Sequence, residues 1–264
     1  MNYIVQTQKI VKEILKIADI EGKLTGFSIG NTAKIDDNSL YFTPIRDTSV
    51  VIIGGVIVYS EKQAIEIAKA IDGKVHYILV DSEKKIPDEM SLTGEPSNVE
   101  RSVRESVKKS TLWVYKGNDL SVEAVDTLLA QLTRKSIKGI GGRKITILGA
   151  GNLGAKLALK LVERGANITI TRRNKEILEA ITQVLNYIKP KYTTSKVVCT
   201  TDNDVAAKGA EILIGTTQGI PVITKEMIKR LRKRAIIVDV GKGTLYPEAI
   251  KAAEENKFNI YRLD

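Results

Sequence analysis

The segment Leu148-Gly149-Ala150-Gly151-Asn152-Leu153-Gly154 constrains this chain more than any other stretch. It follows a short apolar run, Lys144–Leu148, that reads as a strand. It opens a helix whose Leu153, Leu157, Leu161 and Val162 share one face. A second strand, Asn167-Ile168-Thr169-Ile170, closes a strand–helix–strand unit. In that setting G-x-G-x-x-G has a mechanical meaning. Gly149 permits the tight turn, Gly151 lets the backbone approach a pyrophosphate, and Gly154 lets the helix pack close to the strand. The helix N-terminus then presents its partial positive charge to the phosphates. Ala150, Asn152 and Leu153 complete the expected cofactor loop.

The end of the second strand discriminates between nucleotides. A site for NAD ordinarily carries an Asp or Glu there, on the ribose hydroxyls. This chain reads Thr171-Arg172-Arg173-Asn174, with no acid. A carboxylate would repel a 2′-phosphate, whereas guanidinium groups bind one bidentately. NADP(H) is therefore the expected cofactor, with Thr171 adding a hydroxyl. Thr216 and Thr217, in the turn after the strand Glu211–Ile214, and Gly241, in the turn after Ala235–Val238, are expected to line the same cleft.

Alternation continues through both halves. Further strands are expected at Lys196–Cys199 and Asn259–Tyr261, with helices opened by Asp202 or Asp204, Thr224 and Pro247. In the first half an amphipathic helix covers residues 1–20, and Val50–Ile53 is a strand leading into Gly54-Gly55. Ser60-Glu61-Lys62-Gln63 is a capping box, Val75–Val80 and Thr111–Tyr115 are strands, and Val99, Val103 and Val107 mark a thin helical stripe. Asp119 to about Thr133 is a helix, and Pro87–Pro96 reads as an exposed loop. The expected fold is α/β: a C-terminal Rossmann domain with a doubly wound parallel sheet, preceded by a smaller α/β domain. The basic, glycine-bearing segment 134–142 places the boundary so that residues 1–138 form the N-terminal substrate domain and 139–264 the nucleotide domain.

A formal net charge of +10 suits anionic ligands. The basic residues are nevertheless spread among acids, and the densest cluster, Lys229–Arg234, falls at a helix end where cations oppose the helix dipole. No aromatic residues interleave with it, so nucleic acid is not the expected partner; a small-molecule substrate is, and a homo-oligomer is open. No apolar run reaches the length of a membrane span. One cysteine, Cys199, and no signal-peptide pattern fit a cytoplasmic protein. The abundance of Ile, Lys and Glu fits a thermophile.

No metal-ligand cluster is expected, and His76, inside a strand, reads as structural. Tyr115-Lys116-Gly117-Asn118-Asp119 joins a strand end to the helix that leads into the nucleotide domain. Lys116, Asn118 and Asp119 are the expected catalytic residues, because a lysine and an aspartate held together can relay a proton. A plain helix-capping role for Asp119 or Ser121 is the competing reading. Lys84 and Lys85, after Asp81-Ser82, are lesser candidates.

These residues resemble the amino-acid-dehydrogenase-like superfamily. Val51-Ile52-Ile53-Gly54-Gly55, the helix through Lys69, Ile78-Leu79-Val80-Asp81-Ser82, Arg172-Arg173 and Lys208-Gly209-Ala210-Glu211 look most like NADP-dependent methylene-tetrahydromethanopterin dehydrogenases. That resemblance implies an oxidoreductase of one-carbon metabolism, moving a hydride to or from a methylene-tetrahydropterin in an interdomain cleft. Gly117-Asn118-Asp119, and Val238-Asp239 followed by Leu245-Tyr246-Pro247, are instead similar to shikimate dehydrogenases, a resemblance that makes Asp119 half of a Lys–Asp pair and the substrate a hydroxy or keto acid. The chain lacks that family's Ser-x-Ser and Asn-Val-Thr-x-Pro-x-Lys segments, which leaves the lysine partner unassigned. Both families continue into helices beyond the last strand, and the sequence ends at Asp264. A non-catalytic NADP-binding regulatory module is the third reading.

Overall fold

A computed structural model describes residues 2–32, 40–87, 92 and 95–263. The chain divides into two compact units, residues 1–117 and 118–264.

The first unit runs α1 (Tyr3–Glu21), β1 (Leu24–Asn31), β2 (Tyr41–Asp47), β3 (Val51–Val58), α2 (Glu61–Ile71), β4 (Tyr77–Asp81), α3 (Val99–Ser106) and β5 (Thr111–Tyr115). Its sheet has the order β2-β3-β1-β4-β5, parallel except for β2, which is antiparallel to β3. Alternation along β1 sends Phe27 and Ile29 to the face on which α1 and α2 lie, where they join Ile14, Ile52, Val56, Ile67 and Ile78 in one core. The Ser60 hydroxyl accepts from the Gln63 amide, and Gln63 Oε1 accepts in turn from the Tyr59 amide. The capping box thus closes as the sequence predicts, one residue wider on its return arm.

Three expectations change here. The strand expected at Val50–Ile53 does not stop before Gly54 and Gly55 but runs through them to Val58. A Cβ on Gly54 would stand 2.9 Å from Ile14 Cδ1, and one on Gly55 2.7 Å from the Ser28 carbonyl oxygen. They are glycines so that α1 and β1 can pack against the strand. The strand β1 was not anticipated at all. The strand expected at Val75–Val80 is Tyr77–Asp81, two residues shorter at its start. His76 precedes it: Nδ1 accepts from the Thr25 amide at 3.1 Å, a tie between β1 and β4 that agrees with a structural role. Residues 88–91, 93 and 94 of the expected loop fall outside the described residues; Pro87 and Pro96 at its ends bridge antiparallel.

The second unit runs α4 (Gly117–Thr133), β6 (Lys144–Leu148), α5 (Asn152–Glu163), β7 (Asn167–Thr171), α6 (Lys175–Ile188), β8 (Val197–Thr200), α7 (Asn203–Ala207), β9 (Ile212–Gly215), α8 (Lys225–Arg230), β10 (Ile236–Asp239), α9 (Pro247–Glu255) and β11 (Asn259–Arg262). Six parallel strands stand in the order β11-β10-β9-β6-β7-β8, the doubly wound arrangement. One core lies under α4, α5 and α6, with Val125, Leu129, Leu157, Leu161, Leu178 and Leu185 against Ile145, Ile147 and Ile168. Another lies under α7, α8 and α9, with Leu213, Met227, Ile228, Ile237 and Ala249. Helix α4, which the sequence reading places with residues 1–138, buries Val122, Val125 and Leu129 in the second unit's core. The break between compact units accordingly falls at the first residue of α4 rather than after the helix.

Candidate functional site

Neighbouring strands β6 and β9 mark the switch point of the second sheet: the chain leaves β6 toward β7 and leaves β9 toward β10. Loops at the carboxyl ends of such strands part and leave a crevice. Gly149, at φ 109°, starts the turn after β6 in a conformation that side-chain-bearing residues rarely adopt. The amides of Gly149 and Ala150 both donate to the Thr171 carbonyl, at 3.2 and 2.7 Å, so the loop is fastened to the end of β7. A Cβ on Gly154 would overlap the Gly149 carbonyl oxygen, which fixes that glycine by packing.

Gly151 differs from both. Its φ of −88° suits any residue, and a Cβ there would meet no protein atom within 4 Å. No neighbour among the described residues calls for glycine at this position. It caps α5, and no side chain accepts from the first-turn amides there. An open, side-chain-free approach to an uncapped helix N-terminus fits a pyrophosphate.

At the end of β7, Thr171 is 3% exposed. Arg172 is half-buried and donates from Nη1 to the Ala150 carbonyl at 2.8 Å, which holds its guanidinium beside the glycine loop; Arg173 is exposed. Asn174 caps α6 by accepting from the Ile177 amide at 2.9 Å. Thr216 donates to the carbonyls of Leu148 and Gly149 at 3.0 and 2.7 Å, and Thr217 to that of Ile220 at 2.7 Å, so both hydroxyls brace the loops in this state. Gly241 lies so close under the Thr217 carbonyl that a Cβ would overlap it. Asp239, named in the sequence only as part of this strand end, organises this side: its carboxylate accepts from the Gly243 amide at 2.8 Å and from the Thr244 hydroxyl at 2.8 Å. The signal available was an aspartate ending a buried strand ahead of G-K-G-T.

The expected catalytic residues are placed as follows. Asn118 Nδ2 donates to Asn152 Oδ1 at 3.0 Å, inside the glycine motif. Asp119 accepts from Lys156 Nζ at 2.6 Å. Lys116 lies in the first unit, in the junction between β5 and α4. The lysine bonded to Asp119 is therefore Lys156 of α5, which sequence spacing did not single out. Groups of three or more His, Cys, Asp or Glu able to hold a metal are absent among the described residues.

A family model described as NADP oxidoreductase, coenzyme F420-dependent, matches residues 144–243. A glycerol-3-phosphate dehydrogenase (NAD(P)+) of Limosilactobacillus reuteri is 31% identical over 120 residues, 44% of this chain and 34% of that protein. The corresponding protein of Bacillus subtilis is 25% identical over 118 residues, 43% of this chain and 34% of its own length. The chain thus spans about a third of the length of the curated relatives it matches. The L-tryptophan dehydrogenase of Nostoc punctiforme superposes with a TM-score of 0.51 at 12% identity, over 92% of this chain and 70% of that one. No helix among the described residues is long and apolar enough to cross a membrane. The chain has the Rossmann-type fold of NAD(P)-dependent dehydrogenases.

Proposed function

We propose that this chain is an NADP-dependent dehydrogenase whose second unit binds NADP(H) on the glycine loop and the N-terminus of α5. The observation that carries the reading is Gly151, a glycine that no atom of the described residues requires, at a helix start with no side-chain cap beside the switch point. When bound, the nicotinamide supplies hydride chemistry. Gly149, Ala150, Gly151, Asn152, Leu153 and Gly154 receive the pyrophosphate. Arg172, steadied on the Ala150 carbonyl, and exposed Arg173 favour a 2′-phosphate over a bare ribose hydroxyl. Thr171 shapes the floor, while Thr216, Thr217 and Gly241 form the opposite wall.

For the substrate, the one-carbon tetrahydropterin rests on the sequence resemblance. The hydroxy or keto compound of the shikimate-type reading is favoured by the matched relatives named for glycerol 3-phosphate, itself an alcohol. Lys116, Asn118 and Asp119 remain the proposed substrate-side residues. Asn118 and Asp119 touch the first two turns of α5, so Asp119→Asn is expected to lower turnover well beyond any loss of nucleotide affinity. Equal losses in both would remove Asp119 from the chemistry.

Calorimetric titration with NADP(H) and with NAD(H) tests the core of the proposal. NADP(H) should bind at least about tenfold more tightly, a preference erased in the Arg172→Ala, Arg173→Ala double variant. Absence of binding by either nucleotide overturns it.

A further inference from the structure

The first sheet has a switch point of its own, between β1 and β4: the chain leaves β1 toward β2 and β3, and leaves β4 toward β5. A polar cluster stands at the carboxyl ends of these strands. Asp81, 3% exposed, accepts at Oδ1 from the Glu83 amide at 3.0 Å and from the Gly117 amide at 3.3 Å, and at Oδ2 from Lys85 Nζ at 2.8 Å. Glu83 meets the same ammonium at 2.8 Å. Burial lowers the proton affinity of Lys85, but its bonds to Asp81 and Glu83 outweigh that and hold it charged beyond the usual lysine range. Beside it Tyr115 shares a hydroxyl–hydroxyl bond with Ser28 at 2.8 Å, and burial pushes the Tyr115 phenol up.

Asn31, 5% exposed, donates from Nδ2 to the Asp81 carbonyl at 3.2 Å. Its Oδ1 is buried with no hydrogen-bond partner among the described residues. A buried acceptor left unpaired is costly, of the order of 1–3 kcal/mol. Around Asp81 there is thus one orphan acceptor, Asn31 Oδ1, and one ammonium whose two carboxylate partners leave a third N–H to offer. The group that satisfies both is one that accepts and donates at a single oxygen, a hydroxyl. The carboxylates of Asp81 and Glu83 both stand at this ammonium, and their negative charges disfavour a carboxylate or phosphate at this point.

We propose that the first unit binds a hydroxyl-bearing small molecule, a polyol or secondary alcohol, at the β1–β4 switch point, with Lys85 Nζ donating to the hydroxyl oxygen and Asn31 Oδ1 accepting from the hydroxyl. Lys85, a quarter exposed, is the most exposed of the three charged members of the cluster. The proposal concerns the first unit alone and stands whether or not the second binds nucleotide.

The test is saturation-transfer NMR on the full chain with glycerol as the probe and inorganic phosphate as competitor. Transfer to glycerol is expected in the wild type and is unchanged by phosphate. Affinity should fall at least about tenfold in Lys85→Met and in Lys85→Gln, and persist in Glu83→Gln, which leaves the Lys85–Asp81 bond in place. Thermal melts of each variant separate loss of the site from loss of the fold. No transfer in the wild type, displacement by phosphate, or equal affinity in whichever Lys85 variant folds would overturn the proposal; Lys85 would then serve only to tether its segment to Asp81.

Discussion

At the residue scale, the three motif glycines separate into two kinds, and substitution distinguishes them. Gly154→Ala forces a methyl into the Gly149 carbonyl, a backbone atom that cannot swing away. It is expected to destabilise the protein by about 1–3 kcal/mol in denaturant titration. Gly151→Ala adds a methyl to open space at an ordinary φ. Its stability should stay within about 0.5 kcal/mol of wild type, while NADP(H) affinity falls at least about tenfold in calorimetry. A Gly151→Ala variant that binds the nucleotide normally would mean that no ligand backbone comes close there. These roles were legible in the sequence because they are local: three glycines, a strand before and a helix after. The cluster around Asp81 was not legible, because Asn31, Asp81 and Tyr115 are joined only by the register of β1, β4 and β5. Lys85 stood out merely as a charge, and nothing in the spacing announced its two carboxylate partners.

At the scale of elements, the misreadings share a cause. Helices with a regular apolar stripe, such as α1, α2, α5 and α6, declare themselves by period. Strand β1, Leu-Thr-Gly-Phe-Ser-Ile-Gly-Asn, carries two glycines and polar residues among its apolar ones, and glycine ordinarily punctuates a turn. Here Gly30 is a close-approach position on the face away from the helices, where a Cβ would stand 2.6 Å from Ile57 Cδ1 of β3, while one on Gly26 would meet Ile53 at an ordinary 3.4 Å. Short connections carry a more tractable signal. Asp72 follows α2 and accepts from the amides of Lys108, Lys109 and Ser110, each at 2.9 Å, which clamps the turn that leads into β5. Burial raises its pKa, yet the three amides outweigh this and hold the carboxyl below its usual 3.8. A lowered folded-state pKa contributes stability that is complete above the unfolded value and is lost as pH falls through the folded one. Stability measured by urea titration should therefore drop as pH is taken below 3.8. Asp72→Asn should flatten that part of the profile and cost about 1–3 kcal/mol at neutral pH, as amides lose a charged acceptor. An unchanged acid limb in the variant would show that other carboxylates govern it.

At the scale of the whole molecule, the question is where the second unit begins. A glycine-bearing basic segment at 134–142 looks like a linker, yet composition reports solvent exposure, not which core a preceding helix enters. Helix α4 enters the second unit's core through Val122, Val125 and Leu129, the last two fully buried. Three ion pairs also run along α4 and α5: Asp119 with Lys156 at 2.6 Å, Glu123 with Lys160, and Asp126 with Arg164 at 2.7 Å. Partly exposed pairs of this kind contribute at most about 1 kcal/mol each, so the apolar face dominates. Burial of the three side chains is worth about 1.5–3 kcal/mol apiece. Their combined loss approaches the whole stability of an ordinary domain, about 5–15 kcal/mol. A fragment of residues 118–264 should accordingly melt cooperatively and retain NADP(H) binding, whereas residues 139–264, the boundary suggested by composition, should melt far lower or expose enough apolar surface to aggregate. Circular dichroism melts of the two fragments decide the matter. If the shorter fragment were as stable as the longer, α4 would be a passive connection, and the contacts of Asn118 and Asp119 with α5 would lose their claim to shape the nucleotide loop.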